Sequence, residues 1–143
     1  MQRYLALFLI LVAAYVGWDR YETGDRSSYA ASAGAQAIAQ AYQNRTSNLQ
    51  VAGEGIVIKI LSDDNDGSRH QRFILRLPSG QTLLVAHNID VGPRIPSLRE
   101  GDSVAFNGVY EWNSKGGLIH WTHHDPEGRH APGWLKYNGK TYQ

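Results

Sequence analysis

Cysteine is absent from all 143 residues of the chain. With it go a disulfide framework, a thiolate metal site, a cysteine nucleophile and the lipidated cysteine of a lipoprotein. The redox compartment stays open, since a chain without thiols folds in either. A dominant charge is missing too: 14 Lys and Arg stand against 13 Asp and Glu, a formal net charge of +1. Bulk electrostatics therefore give no warrant for nucleic-acid binding by the chain as a whole. The length allows one domain and an appendage.

What is present begins with an apolar segment. After Arg3, the stretch from Tyr4 to Trp18 is uncharged and mostly apolar, and Asp19 and Arg20 close it. It is shorter than the roughly 20 residues a helix needs to cross the hydrocarbon core, and it fits the apolar region of an export signal. Cleavage sites are poorly placed: Val12-Ala13-Ala14 lies inside the run and Ala31-Ser32-Ala33 far beyond it. The expectation is an uncleaved signal-anchor in residues 1–20, tilted, with Trp18 and Tyr21 at the interface; a cleaved signal peptide and a secreted domain is the alternative. Arg3 ahead of the run puts the N-terminus in the cytoplasm by the positive-inside rule. The domain is then expected in the periplasm, held at the inner membrane through residues 4–18.

Residues 21–48 read as a tether carrying a short Ala-rich helix from Ala30 to Tyr42, with Ser27 or Ser28 as its cap. Residues 49–143 read as one β-rich domain. Strands are predicted at 51–61, 70–77, 81–88, 103–110 and 118–123, with an irregular tail over 124–143. Three strands in a meander, a longer Pro-containing connection and a hairpin give the order of a five-stranded OB-like barrel. A mainly β fold of that kind is expected, although an SH3-like barrel or a small sandwich would read similarly. Trp134, Tyr137 and Tyr142 in the tail are expected to pack back on the barrel, since a free tail would be more polar. Asp63, Asp64 and Asp66 before Gly67 hint at a calcium loop, but the EF-hand frame would put Ser62 first and Phe73 twelfth, so a solvated turn is expected.

The six histidines, at 70, 87, 120, 123, 124 and 130, all lie beyond residue 69, and Trp112, Trp121 and Trp134 fall in the same late stretch. In the second strand Phe73, Leu75 and Leu77 alternate inward, so His70, Arg72 and Arg76 share the other face. In the third, His87 is in phase with Leu83 and Val85, and Asn88 with Leu84. In the fifth, His120, Thr122 and His124 share one face, and Trp121 and His123 the other. Three chemistries use this set. His70 and His87 as general acid and base, with Arg72 and Arg94 on the phosphate, would cleave a phosphodiester. His120 and His124, completed by Asp125 or His87, would hold a divalent metal such as zinc. Trp112 and Trp121, with Asn88 and Asn113 as polar contacts, would bind rings of bases or sugars without chemistry. Plainer roles compete: Trp121 beside Ile119 fits a core position, and His130 in a Gly/Pro-rich tail fits a structural one. His120-Trp121-Thr122 occurs once, where two-histidine phosphoesterases need the motif twice. No helix follows these histidines to complete a His-Asn-His nuclease unit.

The phrases Arg69-His70-Gln71-Arg72-Phe73, His87-Asn88-Ile89-Asp90, Glu111-Trp112-Asn113 and His120-Trp121-Thr122-His123-His124-Asp125-Pro126 resemble a family of small bacterial proteins, domain-of-unknown-function family 3465, over residues 48 to 143. The resemblance implies a bacterial source and an envelope setting, and brings no assigned activity or catalytic residues. More loosely, the barrel resembles periplasmic OB-fold proteins and the barrel of staphylococcal-type thermonucleases, but the Asp/Arg/Glu calcium-site pattern of the latter is not recognisable.

Two functions are expected from these residues. One is an envelope-located hydrolase of a phosphodiester such as nucleic acid, using the histidine-rich site with or without a divalent metal. The other is a non-catalytic module that binds an oligosaccharide, nucleic acid or a protein partner. Convergence of His70, His87 and His120 in one pocket would separate them.

Overall fold

The structure is a computed structural model that describes residues 24–143. The signal-anchor expected in residues 1–20 lies outside the described residues. Among the described residues no helix is long and apolar enough to cross a membrane. The described residues fall into two units, residues 24–30 and residues 31–143.

Residues 24–43 are helical. The helix starts ahead of Ser27 and Ser28, so neither serine caps it; the Ser28 hydroxyl instead donates back to the Asp25 carbonyl at 2.9 Å. Within the second unit, Ala35, Ile38 and Ala41 are buried at helical spacing and join the barrel core. Gly34 is what lets this turn come so near: a Cβ there would overlap the Ala52 carbonyl oxygen. Over residues 31–43 the helix is therefore a packed lid on the barrel.

Seven strands follow: β1 (Leu49–Ile60), β2 (His70–Arg76), β3 (Thr82–Asn88), β4 (Ser103–Glu111), β5 (Leu118–His120), β6 (Trp134–Tyr137) and β7 (Lys140–Tyr142). Strands β1, β2 and β3 form an antiparallel meander. β3 then pairs in parallel with β5, β5 pairs with β4, and β4 returns to β1 from Leu49↔Tyr110 to Ile56↔Ser103. That circuit closes a five-stranded barrel of the expected OB-like order. β1 serves both sides of the seam. Its first half pairs with β4 and its second with β2, and a bulge between Val57 and Lys59 bends it from one to the other.

Period-2 alternation builds the core. Phe73 and Leu75 from β2, Leu83 and Val85 from β3, Phe106 and Tyr110 from β4, and Ile119 from β5 are all fully buried. Gln71, a polar side chain inside, is fully paired. Gln71 donates its amide to the Ile95 carbonyl at 3.0 Å and accepts from the Ile95 amide at 2.9 Å, so one side chain clasps the loop between β3 and β4.

Two boundaries differ from expectation. Strand five ends at His120, because Trp121 takes a φ of 53° and leaves the ladder. The tail is not irregular: β6 pairs with β4 and turns through Asn138-Gly139 into β7. Both turn residues have positive φ, as a tight hairpin of this kind requires. The tail does pack back, with Leu135 fully buried and Tyr142 nearly so.

Candidate functional site

The β2–β3 ladder decides which histidines can work together. His70 is opposite Asn88, Gln71 opposite His87, Arg72 opposite Ala86 and Ile74 opposite Leu84. Directly paired residues share a face. His70, Asn88 and Arg72 are therefore outside, and His87 is inside with Gln71.

His87 is fully buried. One ring nitrogen, Nε2, lies 2.9 Å from the Pro93 carbonyl, which can only accept, so Nε2 carries the proton. The other, Nδ1, accepts from the Thr122 hydroxyl at 2.8 Å. The neutral ring is thus fully satisfied. Burial pushes its pKa down to about 4, with the nearby charges of His123 and His70 acting in the same direction. A ring that stays neutral near pH 7, with its N–H and its lone pair both engaged, and that faces away from His70 is a structural residue. The acid–base pair expected from His70 and His87 is not assembled.

The other expected catalytic groups are also apart. Arg94 is paired with Asp63, so the acidic turn is closed by an ion pair. Arg72 is on the outer face and donates from Nε to the Ser62 carbonyl at 3.1 Å. His70 has its Nδ1 2.8 Å from the Ser68 carbonyl, an N–H donor's contact that leaves Nε2 as the available atom.

The expected metal ligands separate because β5 stops early. His120 is on the outer face, 3.4 Å from the Glu111 carboxylate. Burial lowers its pKa, Glu111 opposes the shift, and His70 and His130 add to it. His124 is exposed. Asp125 is buried and accepts three backbone N–H groups, from Glu127 at 2.9 Å, Arg129 at 2.5 Å and His130 at 3.0 Å. Burial works against its charge, but those donors and His130 outweigh it and hold the carboxyl below its ordinary range. Asp125 is the stitch of the 125–130 turn. Among the described residues no group of three His, Cys, Asp or Glu could hold a metal ion.

Of the expected binding residues, Trp112 is taken. Its indole stacks on Tyr42 with centroids 6.4 Å apart, its N–H donates to the Tyr42 carbonyl at 3.1 Å, and Arg45 lies over it at 5.4 Å. It pins the end of the helix. Asn113 closes the β4–β5 turn, accepting from the amides of Lys115 and Gly117. The Asn88 side chain accepts from the Asp90 amide at 2.9 Å. Trp121 is not a core residue: it is 37% exposed, with its ring centroid 5.8 Å from His120, 5.6 Å from His123 and 3.9 Å from His130.

The structure brings a different set together. On the outer face, Lys59, Ile74, Leu84 and Leu118 follow one another across β1, β2, β3 and β5, with Arg76 opposite Ile56 and Thr82 alongside. Leu61, Ile74 and Leu84 floor a trough of about 200 Å³ whose rim includes Thr82, Asn113 and Lys115. Lys59, Arg72, Arg76 and Lys115 thus surround an apolar strip, and among the described residues none of them makes an ion pair. Glu111, engaged with His120, is the carboxylate facing them from β4. Lys59, Arg76 and Lys115 were missed as site residues. Arg76 was legible from alternation in β2; Lys59 was not, because the bulge in β1 shifts its phase.

Fold and site together define a small OB-like barrel with a basic, partly apolar outer face and a buried, neutral histidine. The chain belongs to the family described as protein of unknown function (DUF3465), whose model matches residues 25–143. The match takes in the helix as well as the barrel. No curated protein matches the chain.

Proposed function

We propose that the domain is a non-catalytic binding module that holds a polyanion on the outer face of β1, β2, β3 and β5, tethered in the cell envelope through residues 4–18. The observation that carries this reading is the charge imbalance of that face: Lys59, Arg72, Arg76 and Lys115 against Glu111 and, at the edge opposite His70, Asp64, on a chain whose total charge is +1. Among the described residues no carboxylate neutralises these cations, and Arg72 spends only its Nε, on the Ser62 carbonyl, so their charge is on offer to phosphates or sulfates. His70 and His120 on the same side add hydrogen-bonding ring nitrogens.

Hydrolysis is the second reading, and it now rests on His70 and His120, which share the outer face, with His70 close enough to help lower the His120 pKa. Binding is favoured because His87, the base first expected, is buried and satisfied.

Anisotropy titration of the full chain against a labelled polyanion over a series of salt concentrations tests the module. For a single-stranded ligand the slope of log K against log salt is roughly −0.7 per phosphate neutralised, so engagement of all four cations gives about −3. Lack of binding at low salt, or binding indifferent to salt, overturns the reading.

A further inference from the structure

Trp121 is left unexplained by a purely electrostatic face. It follows the last residue of β5, and its φ of 53° puts a bulky aromatic residue in the left-handed region. That conformation is unfavourable for any side chain with a Cβ and rare for a large one. It is imposed from both sides here. Thr122 is fully buried and bonded to His87, so the chain must turn inward immediately after the indole. Gly133 packs so closely that a Cβ on it would overlap the Trp121 carbonyl oxygen.

The outcome of that strain is an indole turned toward water. His130 lies against it and His123 and His120 flank it, while more than a third of it is open. Stability does not account for this, since it costs backbone strain and leaves apolar surface wet. Strained backbone that the surroundings enforce is concentrated at sites of function. The position is informative as well. Ile119 is opposite Val85, so His120 lies beside Ala86, and Ala86 is opposite Arg72. The indole lies beside the His120 end of that row, its ring centroid 5.8 Å from that of His120.

We propose that Trp121 is a stacking platform for an unpaired nucleobase, and hence that the polyanion held by the outer face is single-stranded nucleic acid. This rests on the polyanion reading of that face. A flat π surface beside a face that carries Lys59, Arg72, Arg76 and Lys115 fits a ligand that alternates charge with exposed rings. A duplex keeps its rings inside, and polyphosphate has none. Imidazoles packed against the indole fix its orientation before the ligand arrives, which lowers the ordering cost of stacking.

The test uses the full chain with labelled oligo(dT), oligo(U), a DNA duplex and inorganic polyphosphate. Trp121→Ala is expected to weaken binding of oligo(dT) or oligo(U) roughly tenfold or more, Trp121→Phe to retain most of the affinity, and polyphosphate binding to be unchanged. Trp121→Gly separates platform from strut. Glycine accepts the left-handed backbone without strain, so the variant should melt at or above the wild-type temperature while losing the oligonucleotide affinity. Oligonucleotide binding unaffected by Trp121→Ala, with polyphosphate still bound, overturns the platform and leaves the basic face standing. So does a Trp121→Gly variant that melts early and loses all ligands together. Failure of the wild-type chain to bind polyphosphate and both oligonucleotides overturns the face and the platform alike.

Discussion

His70 and His87 stand on opposite faces of one two-stranded ladder. The pair His70–Asn88 faces outward and the next pair, Gln71–His87, faces inward. A single residue's step along each strand carries an imidazole from solvent to a site with no exposed surface. The charge of His70 acts on the His87 ring through the sheet, but the two cannot meet over one substrate.

The buried ring makes stability depend on acid. In the unfolded chain His87 takes up a proton below its ordinary pKa of 6.5, while in the folded chain it does so only near 4. Between those values the unfolded state binds more protons, so stability falls as pH falls. The window is about pH 6.5 to 4, and the contribution at stake is roughly 3 kcal/mol. Denaturant titrations at stepped pH should show that loss, and His87→Gln should flatten it while lowering stability at pH 7. A wild-type profile that is level across the window would contradict the buried, neutral assignment.

Asp125 should matter as an acceptor of backbone amides. Asp125→Ala leaves the N–H groups of Glu127, Arg129 and His130 without their partner. A loss of about 1–3 kcal/mol is expected. Hydrogen exchange at those three amides should rise more than exchange in β2 and β3. Equal protection in both proteins would show that the turn holds itself.

The β6–β7 hairpin is part of the core. Leu135 is fully buried opposite Phe106. Leu135→Ala should cost roughly 2–5 kcal/mol. Removal of the chain after His130 should expose the barrel to protease. Unchanged melting of the truncated chain would show that the barrel stands without the hairpin.

Turnover tests the second reading directly. If the outer face only binds, full chain incubated with oligonucleotides or a generic phosphodiester, with and without divalent metal, should leave them intact, and Arg72→Ala with Arg76→Ala should reduce the salt slope by about 1.4. Cleavage that disappears in His70→Ala and in His120→Ala, with folding intact, would move the protein to the hydrolases.

The barrel was legible because its physics is local. Alternating apolar residues in 70–77 and 81–88, with Pro78-Ser79-Gly80 between them, specify a hairpin and its two faces. The same alternation groups His87 with Leu83 and Val85, on the face opposite to that of His70. The end of β5 was hidden, since nothing in Ile119-His120-Trp121-Thr122 announces a tryptophan with φ of 53°; packing of Thr122 and Gly133 imposes it. The partnership of Trp112 with Tyr42 joins segments far apart in sequence, beyond the reach of any local pattern. The tail hairpin was written plainly: Asn138-Gly139 between two aromatic runs is a strong hairpin signal, and the surrounding Gly and Pro masked it.

Closure of the barrel through β1 and β4 also governs how copies of this domain meet. Among the described residues β7 alone keeps an unpaired side. It runs for three residues and carries Lys140, whose ammonium lies 5.2 Å from the Tyr142 ring. An edge this short, and guarded by a lysine, is a poor template for another chain's backbone. Crowded side by side on a surface, such domains would collide without zipping into shared sheets.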